Sequence, residues 1–400
     1  MIIGYGKEGP IRGRRVAVTG MGSVSCFGAG TGALWEGLLA PVPPGERRAE
    51  SFVATDHMDN KDAKHADRFT QFAIAASDMA LTDAGALDCD PTRVGVIIGS
   101  TVGGQYVIEA QVRVIDSRGP GRVSPRMTTM QMPNAAAATV SIRQGWSGPC
   151  EQLSTACATG PHVISYAANL VASGRCDAVL AGGAEAGMTE LMTAAFANMG
   201  ALSKSGISRP FDRDRDGFVF SEGAGVLVLE EWDHAVARGA RIYAEVRGAA
   251  SNADAYHITA PSPGGGGAAA CMQMALEHAE LTVADIGYVN AHGTSTQHND
   301  LAEAAAIESL FGPSGVPVTS NKGATGHAIA ASGMLEAIAS CLSIVHSLIP
   351  PTAGHVNLDP EIHLDVVAGS TRAWTPRAVL SNSFGFGGHN GSVILAPPRG

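Results

Sequence analysis

Short uninterrupted runs of β-branched and aliphatic residues alternate along this chain with alanine-rich stretches whose apolar positions recur at helical spacing. The run VGVII (Val94 to Ile98), with no polar residue on either face, predicts a central strand covered on both sides. RRVAVT (Arg14 to Thr19) predicts another, followed by a glycine turn and a helix near Leu34–Leu39. Phe69 to Ala84 carries apolar residues at the spacing of a helix, and PVPPG (Pro41 to Gly45) reads as a loop. Further strands are expected at Asp177–Ala181, Gly225–Glu230, Tyr243–Ala249, Ile286–Ala291, Val379–Leu380 and Ser392–Leu395, with helical segments between many of them. This alternation over the whole length predicts an α/β protein.

One echo crosses the chain. STACATG (Ser154–Gly160) opens the helical segment PHVISYAANLVASG, and NKGATG (Asn321–Gly326) opens HAIAASGMLEAIASCLSIV. An Ala-Thr-Gly step thus precedes a helix in each half. Chance in an Ala/Gly-rich chain and a duplicated βα unit with halves converging on one site both account for it.

Composition narrows the class. Four hundred residues suffice for one large α/β domain or two domains. Hydrophobic residues are 45% of the chain, charged ones only 16%, and there are 50 glycines. That profile excludes disorder, collagen and coiled coil. The net charge of −10 argues against general nucleic-acid binding while leaving room for a local basic patch. No stretch is an uninterrupted apolar run of ~18 residues, the length a membrane span needs; Ala331 to Pro351 comes nearest and contains Glu336 and His346. MIIGYGKEGPIRGRR lacks a signal-peptide core, so the expected compartment is the cytoplasm. Seven widely spaced cysteines without a CxxC argue against a disulfide framework or a zinc ribbon.

Several motifs resemble sites that their details exclude. TGMGSVS (Thr19–Ser25) lacks the third glycine of a dinucleotide loop and the acidic residue expected about 20 residues on, so a tight structural turn is the expectation. DRDRDGFVFSE (Asp212–Glu222) has Gly223 where a calcium loop places its bidentate acid. His292 and His298 in HGTSTQH lack the further ligands a zinc ion needs, and no metal is expected there. His292 does follow the apolar strand IGYVNA, where α/β folds place their chemistry. Cys157 stands apart from the other cysteines: it lies among small residues directly before a helix. A helix start stabilises a thiolate, and the expectation is a nucleophile with a lowered pKa. NSFGFGG (Asn382–Gly388) is a second glycine loop able to bring a backbone N–H close to a reacting carbonyl.

Taken in order, VAVTGMGSVS, STACATG, AGGAEA, RPFDRDRDGFVFSEGAG, NAHGTSTQHND, NKGATGHAIAASG and NSFGFGGHNGS resemble the β-ketoacyl synthases of the thiolase superfamily, most closely the elongating ketoacyl synthase II type. The resemblance implies a thiolase-type five-layered αβαβα fold from two similar halves: residues 1–240 with the nucleophile and 241–400 with two histidines. It implies a catalytic set of Cys157, His292, His327 and Lys322, supported by Glu303 and by Phe386, which would gate the acyl pocket. Lys322 paired with Glu303 would fix the loop carrying His327 and help keep that ring neutral. Backbone N–H groups of Cys157 and Phe386 would form the oxyanion hole. Thr294 and Thr296 would hold a phosphopantetheine arm, and Tyr106 and Ile108 would close the far end of the pocket. Asn290, Glu336, Ser381 and Asn382 match a cation or water site in some relatives, or a plain hydrogen-bond network. No cofactor is implied beyond the phosphopantetheine of an acidic acyl carrier protein, whose docking patch is expected at Lys61, Lys64 and Arg68, one face if that stretch is helical, extended by Arg122 and Arg126. A homodimer and a heterodimer with a chain-length-factor-like homologue are both compatible.

The implied reaction is decarboxylative condensation of an acyl-enzyme with malonyl-acyl carrier protein, in type II polyketide or fatty-acid biosynthesis. Three departures bear on the pathway: Cys26 where proline is frequent, His389 in place of a threonine, and Gln297-His298-Asn299 in place of Pro-x-Gly. The last is similar to the QND of type II polyketide ketosynthases and tilts the expectation that way. A biosynthetic thiolase would carry a second cysteine in the C-terminal glycine loop, and an initiating synthase an asparagine for one histidine. A silent heterodimer partner would lack Cys157.

Overall fold

The computed structural model describes residues 13–399, so most of the segment inspected for a signal core lies outside the described residues. The first half contains β1 (Val16–Ser25), β2 (Val94–Gly99), β3 (Cys150–Glu151), β4 (Ala178–Glu185) and β5 (Gly223–Glu231). The second contains β6 (Ala244–Ala253), β7 (Ile286–Asn290), β8 (Pro317–Thr319), β9 (Ala378–Gly385) and β10 (His389–Ala396). Their spatial order is β3-β2-β4-β5-β1 and β8-β7-β9-β10-β6, so each strand has its counterpart five strands later. The sense of every pairing is repeated as well. β2 is parallel to β3 and β4, as β7 is to β8 and β9; β5 is antiparallel to β4 and β1, as β10 is to β9 and β6. The two sets meet along β1 and β6, where Ala17 faces Glu245 and Val18 faces Ala244. The echo between STACATG and NKGATG therefore marks two equivalent connections, β3 to β4 and β8 to β9.

The principal helices are α1 (Arg68–Ala84), α2 (Gln105–Arg118), α3 (Ala135–Gln144), α4 (Thr159–Ala172), α5 (Gly266–Ala279), α6 (Gln297–Phe311) and α7 (Ser332–His346). α4 and α7 touch strands of both halves and form the middle layer, with α1 and α3 outside the first sheet and α5 and α6 outside the second. Each helical layer has its own apolar core: Phe69, Phe72 and Ile74 outside the first sheet, Met272, Leu276 and Ile307 outside the second, and Ile164, Met334 and Ile338 between them. This is the five-layered thiolase-type fold. The run Ile329–His346 is long and apolar enough to cross a membrane by length and composition, but 89% of it is buried here as a core helix.

The expected turn at Thr19–Ser25 is instead the second half of β1. Its glycines serve packing rather than reversal. A Cβ on Gly22 would lie 2.0 Å from the Ala76 carbonyl oxygen, and one on Gly20 would lie 2.3 Å from that of Ala80. The alanine-rich face of α1 thus rests directly on the strand backbone. Gly183 and Gly225 admit α7 in the same way from β4 and β5, where added Cβ atoms would crowd Ala330 and Met334.

Gly22→Ala is expected to lower stability by about 1–3 kcal/mol, because a backbone oxygen cannot rotate out of the way. Gly32→Ala, whose Cβ would meet nothing within 4 Å, is the control. Thermal midpoints of the two variants check this: equal midpoints would refute the packing role.

Candidate active site

Two of the loops that build the site leave equivalent strands, β3 and β8. The β3–α4 connection carries Cys157, the β8–α7 connection carries Lys322 and His327, and His292 follows β7. Phe386 lies in the turn between β9 and β10. In the nucleophile turn Ala156 is left-handed, with φ 50°. Thr159 braces it, accepting the Thr155 N–H at 3.0 Å and donating its hydroxyl to the Ala156 carbonyl at 2.7 Å.

Cys157 is buried with Sγ 3.0 Å from His327 Nε2. His327 Nδ1 lies 3.0 Å from Ser332 Oγ, which also accepts the Ala328 N–H at 2.8 Å. The His327 main chain is clamped to the Val219–Ser221 segment, donating to Val219 O at 2.8 Å and accepting from Ser221 N–H at 3.1 Å. His292 is set by Glu303, whose carboxylate accepts the N–H of His292 at 2.8 Å and of Gly293 at 2.7 Å. One donor atom from each of Cys157, His292 and His327 falls within 4.8 Å of the others. The two imidazole rings stand edge to face at 5.5 Å, and Phe218 lies edge-on to His327 at 5.3 Å.

Burial and the charge of Lys322 hold His292 and His327 well below the usual imidazole pKa, so both are neutral at pH 7. The thiol differs from the sequence expectation. Burial pushes Cys157 up to about 11, outweighing Lys322 and the backbone N–H groups of Phe386 and Cys157 that favour the thiolate. At rest the pair is therefore a thiol beside a neutral imidazole, and any attack by the sulfur requires its proton to leave. Burial and neighbouring Asp300 raise Glu303 to about 7 against the pull of its two N–H donors.

The expected Lys322–Glu303 pair does not form. Lys322 is buried against Glu336 from α7, while Glu303 is occupied with the His292 backbone. Near them Asn290 donates to Ser381 Oγ at 3.0 Å, and Asn382 accepts from Ser392 Oγ at 2.8 Å. Asn290 Oδ1 and Glu336 Oε2 are buried without a protein partner, acceptors that a water or a small cation would satisfy.

The site opens into a cavity of about 660 Å³. Thr294, Thr296 and Phe386 line it together with the Cys-His-His group, and Phe196, Met199 and Phe218 provide an apolar wall. Thr294 and Thr296 hydroxyls are hydrogen-bonded at 2.8 Å. Tyr106 and Ile108, both on α2, are not among its lining residues. Tyr106 donates to the Met188 carbonyl at 3.1 Å, accepts from Arg48 and packs against the core that contains Phe69 and Phe72.

Lys61 and Lys64 are exposed on a short helix, Asn60–His65, which ends before Asp67 caps α1. Arg68 consequently lies on a different helix, its guanidinium bound to both Glu222 oxygens and to Ala49 O. It is not free for a partner. Gln297, His298 and Asn299 stand at the cavity mouth.

Two residues escaped the sequence analysis. Ser332 orients His327, and buried Glu185 accepts Ser100 Oγ at 3.2 Å and Thr101 N–H at 2.9 Å beside the nucleophile's cluster. An acid ending the otherwise apolar strand AVLAGGAE was the available signal for the second.

Two family models match the chain: the N-terminal domain of β-ketoacyl synthases over residues 47–235, and the C-terminal domain over 243–356. The chain belongs to the β-ketoacyl synthase family. A 3-oxoacyl-[acyl-carrier-protein] synthase 2 of Rhizobium meliloti is 44% identical, the match covering 96% of this chain and 98% of that one. The Synechocystis protein of the same name is 42% identical over 96% and 97%. Among solved structures, the ishigamide ketosynthase/chain length factor superposes with TM-score 0.91 at 32% identity, covering 97% of this chain and 100% of that one. A β-ketoacyl synthase from Burkholderia phymatum gives 0.89 at 34%, covering 96% and 100%. A type II polyketide ketosynthase solved with its acyl-carrier protein gives 0.87 at 30%, covering 97% and 100%. This β-ketoacyl synthase is thus an acyltransferase of the condensing class.

The neutrality of the histidines generates a pH prediction. Decarboxylation of a malonyl thioester is expected to fall only well below pH 6.5, as the imidazoles take up protons. Replacing the buried pair by Lys322→Met with Glu336→Gln removes the positive charge that opposes protonation, so the acid limb moves to higher pH. An unmoved limb would refute the electrostatic role of Lys322.

Proposed function

We propose that Cys157 is the acyl acceptor and that His292 and His327 act on the malonyl unit, with both substrates presented on the phosphopantetheine of an acyl carrier protein. The observation that carries this is the 3.0 Å contact between a buried thiol and a neutral imidazole, with a second imidazole beside them in one cavity. In the first half-reaction Cys157 Sγ attacks the thioester carbonyl and its proton passes through His327 to the departing pantetheine thiolate. Sulfur suits the task because it both attacks and leaves well at neutral pH. The tetrahedral oxygen is held by the N–H groups of Cys157 and Phe386. In the second, the malonyl carboxylate leaves as CO2, and the electron pair of the breaking C–C bond forms an enolate whose oxygen accepts from the two imidazoles. The enolate carbon attacks the acyl-Cys157 carbonyl, the C–S bond breaks, and the Cys157 thiolate regains a proton. The product is a β-ketoacyl thioester. The chain itself contributes no cofactor in this scheme, and Lys322 serves by keeping both imidazoles neutral.

The names of the sequence relatives, 3-oxoacyl-[acyl-carrier-protein] synthase 2, favour elongation of acyl chains on a carrier protein, for which we propose fatty-acyl substrates and a cytoplasmic setting. A polyketide reading is favoured by Gln297-His298-Asn299 at the cavity mouth and by solved relatives described as ketosynthases with a chain length factor or a polyketide carrier protein. On either reading the partner across the dimer is a second copy or a homologous chain. The carrier protein meets Lys61 and Lys64, with exposed Arg122 and Arg126 extending the patch.

Intact-mass spectrometry after incubation with acyl-carrier-protein thioesters of graded length and unsaturation tests the nucleophile. Wild type is expected to gain the acyl mass and Cys157→Ala to gain none; preference for saturated chains assigns fatty acids, and preference for polyenes assigns polyketides. Equal uptake by Cys157→Ala, or none by wild type even with a co-expressed homologous partner, would overturn the proposal. The double charge reversal Lys61→Glu with Lys64→Glu is expected to raise KM for malonyl-acyl carrier protein by about tenfold and leave KM for malonyl-pantetheine unchanged. Equal KM values on the carrier substrate would remove the patch.

A further inference from the structure

The two N–H groups assigned to the oxyanion come from different halves of the molecule. One belongs to the turn before α4, the other to the β9–β10 hairpin, and their usefulness depends on a fixed separation. One side chain spans the two. His162, in the first turn of α4, has Nδ1 2.7 Å from Thr155 Oγ1 and Nε2 3.0 Å from the main-chain oxygen of Asn390. A carbonyl only accepts, so Nε2 carries the proton. The ring is neutral, held below its ordinary pKa by burial and by His389, and Nδ1 therefore accepts the Thr155 hydroxyl.

The surrounding contacts are close on both sides of this bridge. Gly385 lies where a Cβ would come 2.7 Å from Thr155 O and 3.1 Å from Cys157 N. Gly391 lies where one would come 3.0 Å from Pro161 and 3.1 Å from the His162 ring. Asn390 faces Phe384 across the hairpin, and its amide donates to Asn252 at 2.9 Å and Asp254 at 2.8 Å. The hairpin is thus tied to its own half by the Asn390 side chain and to the nucleophile turn by His162. The imidazole does not line the cavity. His292 and His327 are held by other groups: Glu303, Ser332 and the Val219–Ser221 segment.

We infer that His162 is a positioning residue for acyl transfer, holding the Phe386 N–H opposite the Cys157 N–H without touching substrate. The inference rests on Cys157 being the acyl acceptor. It separates the two half-reactions, since the enolate step draws on donors that the bridge does not hold.

The test compares single-turnover acylation of the full-length protein by octanoyl-pantetheine with CO2 release from malonyl-pantetheine. His162→Ala is expected to slow acylation by about 10- to 100-fold, the scale of a small misplacement of catalytic groups, with CO2 release within about twofold of wild type. His162→Gln keeps a donor near the position of Nε2 and is expected to recover most of the acylation rate, while Thr155→Val slows it in the same direction as His162→Ala. A parallel fall in both rates with a lowered thermal midpoint, or undiminished acylation in His162→Ala, would overturn the inference. Wild type that takes up no octanoyl group at all would instead overturn the acyl-acceptor reading beneath it.

Discussion

The active site depends on two helices touching backbone to backbone. A Cβ on Gly160, at the start of α4, would lie 2.6 Å from Gly333, near the start of α7. Real carbon atoms do not approach that closely, so any side chain at either position would force the helices apart. Each helix is preceded by the loop that carries a reactive group, and the crossing brings Cys157 to 3.0 Å from a histidine 170 residues away in sequence. Glycines at 183 and 225 seat α7 on the first sheet by the same means. Small residues at these positions are thus a packing requirement of the middle layer.

Burial then sets the chemistry. Two imidazoles that would titrate near 6.5 in water are kept neutral by burial and by one ammonium, which is what a hydrogen-bond donor to a nascent enolate requires. The same burial raises the thiol to about 11. Lys322 answers both needs: its charge disfavours imidazolium and favours thiolate. Glu336 pairs with this charge inside the protein, where an uncompensated buried charge is costly.

Much of this was legible in the residues. Continuous apolar runs located the strands, and the Ala-Thr-Gly echo fell on equivalent connections of the two halves. The ordered motifs carried the resemblance that implied one site for Cys157, His292 and His327, and the fold brings the three together. What failed is instructive because each failure has a tertiary cause. TGMGSVS looked like a turn because periodicity reports which face is buried, not that a helix backbone rests on the strand. Lys322 was assigned the wrong carboxylate, and Arg68 was counted as exposed, because an ion pair is chosen by the packing of distant elements. Cys157 was expected to be acidic because a helix start is visible in sequence, whereas the depth of burial that opposes it is not.

The pseudo-symmetry of the fold is broken where the reaction is asymmetric. The β9–β10 connection is a tight turn, Phe386-Gly387-Gly388, short enough to present a backbone N–H to the sulfur. Its counterpart between β4 and β5 runs from Ala186 to Glu222 and contributes Phe196, Met199 and Phe218 to the cavity wall. Likewise the β3–α4 connection supplies Cys157 where the β8–α7 connection supplies the histidine it touches, His327. A duplicated scaffold gives two loops facing one another across the central helices. Those loops differ in length: the short one brings a backbone N–H to the Cys157 sulfur, and the long one adds an apolar wall to the cavity beside it.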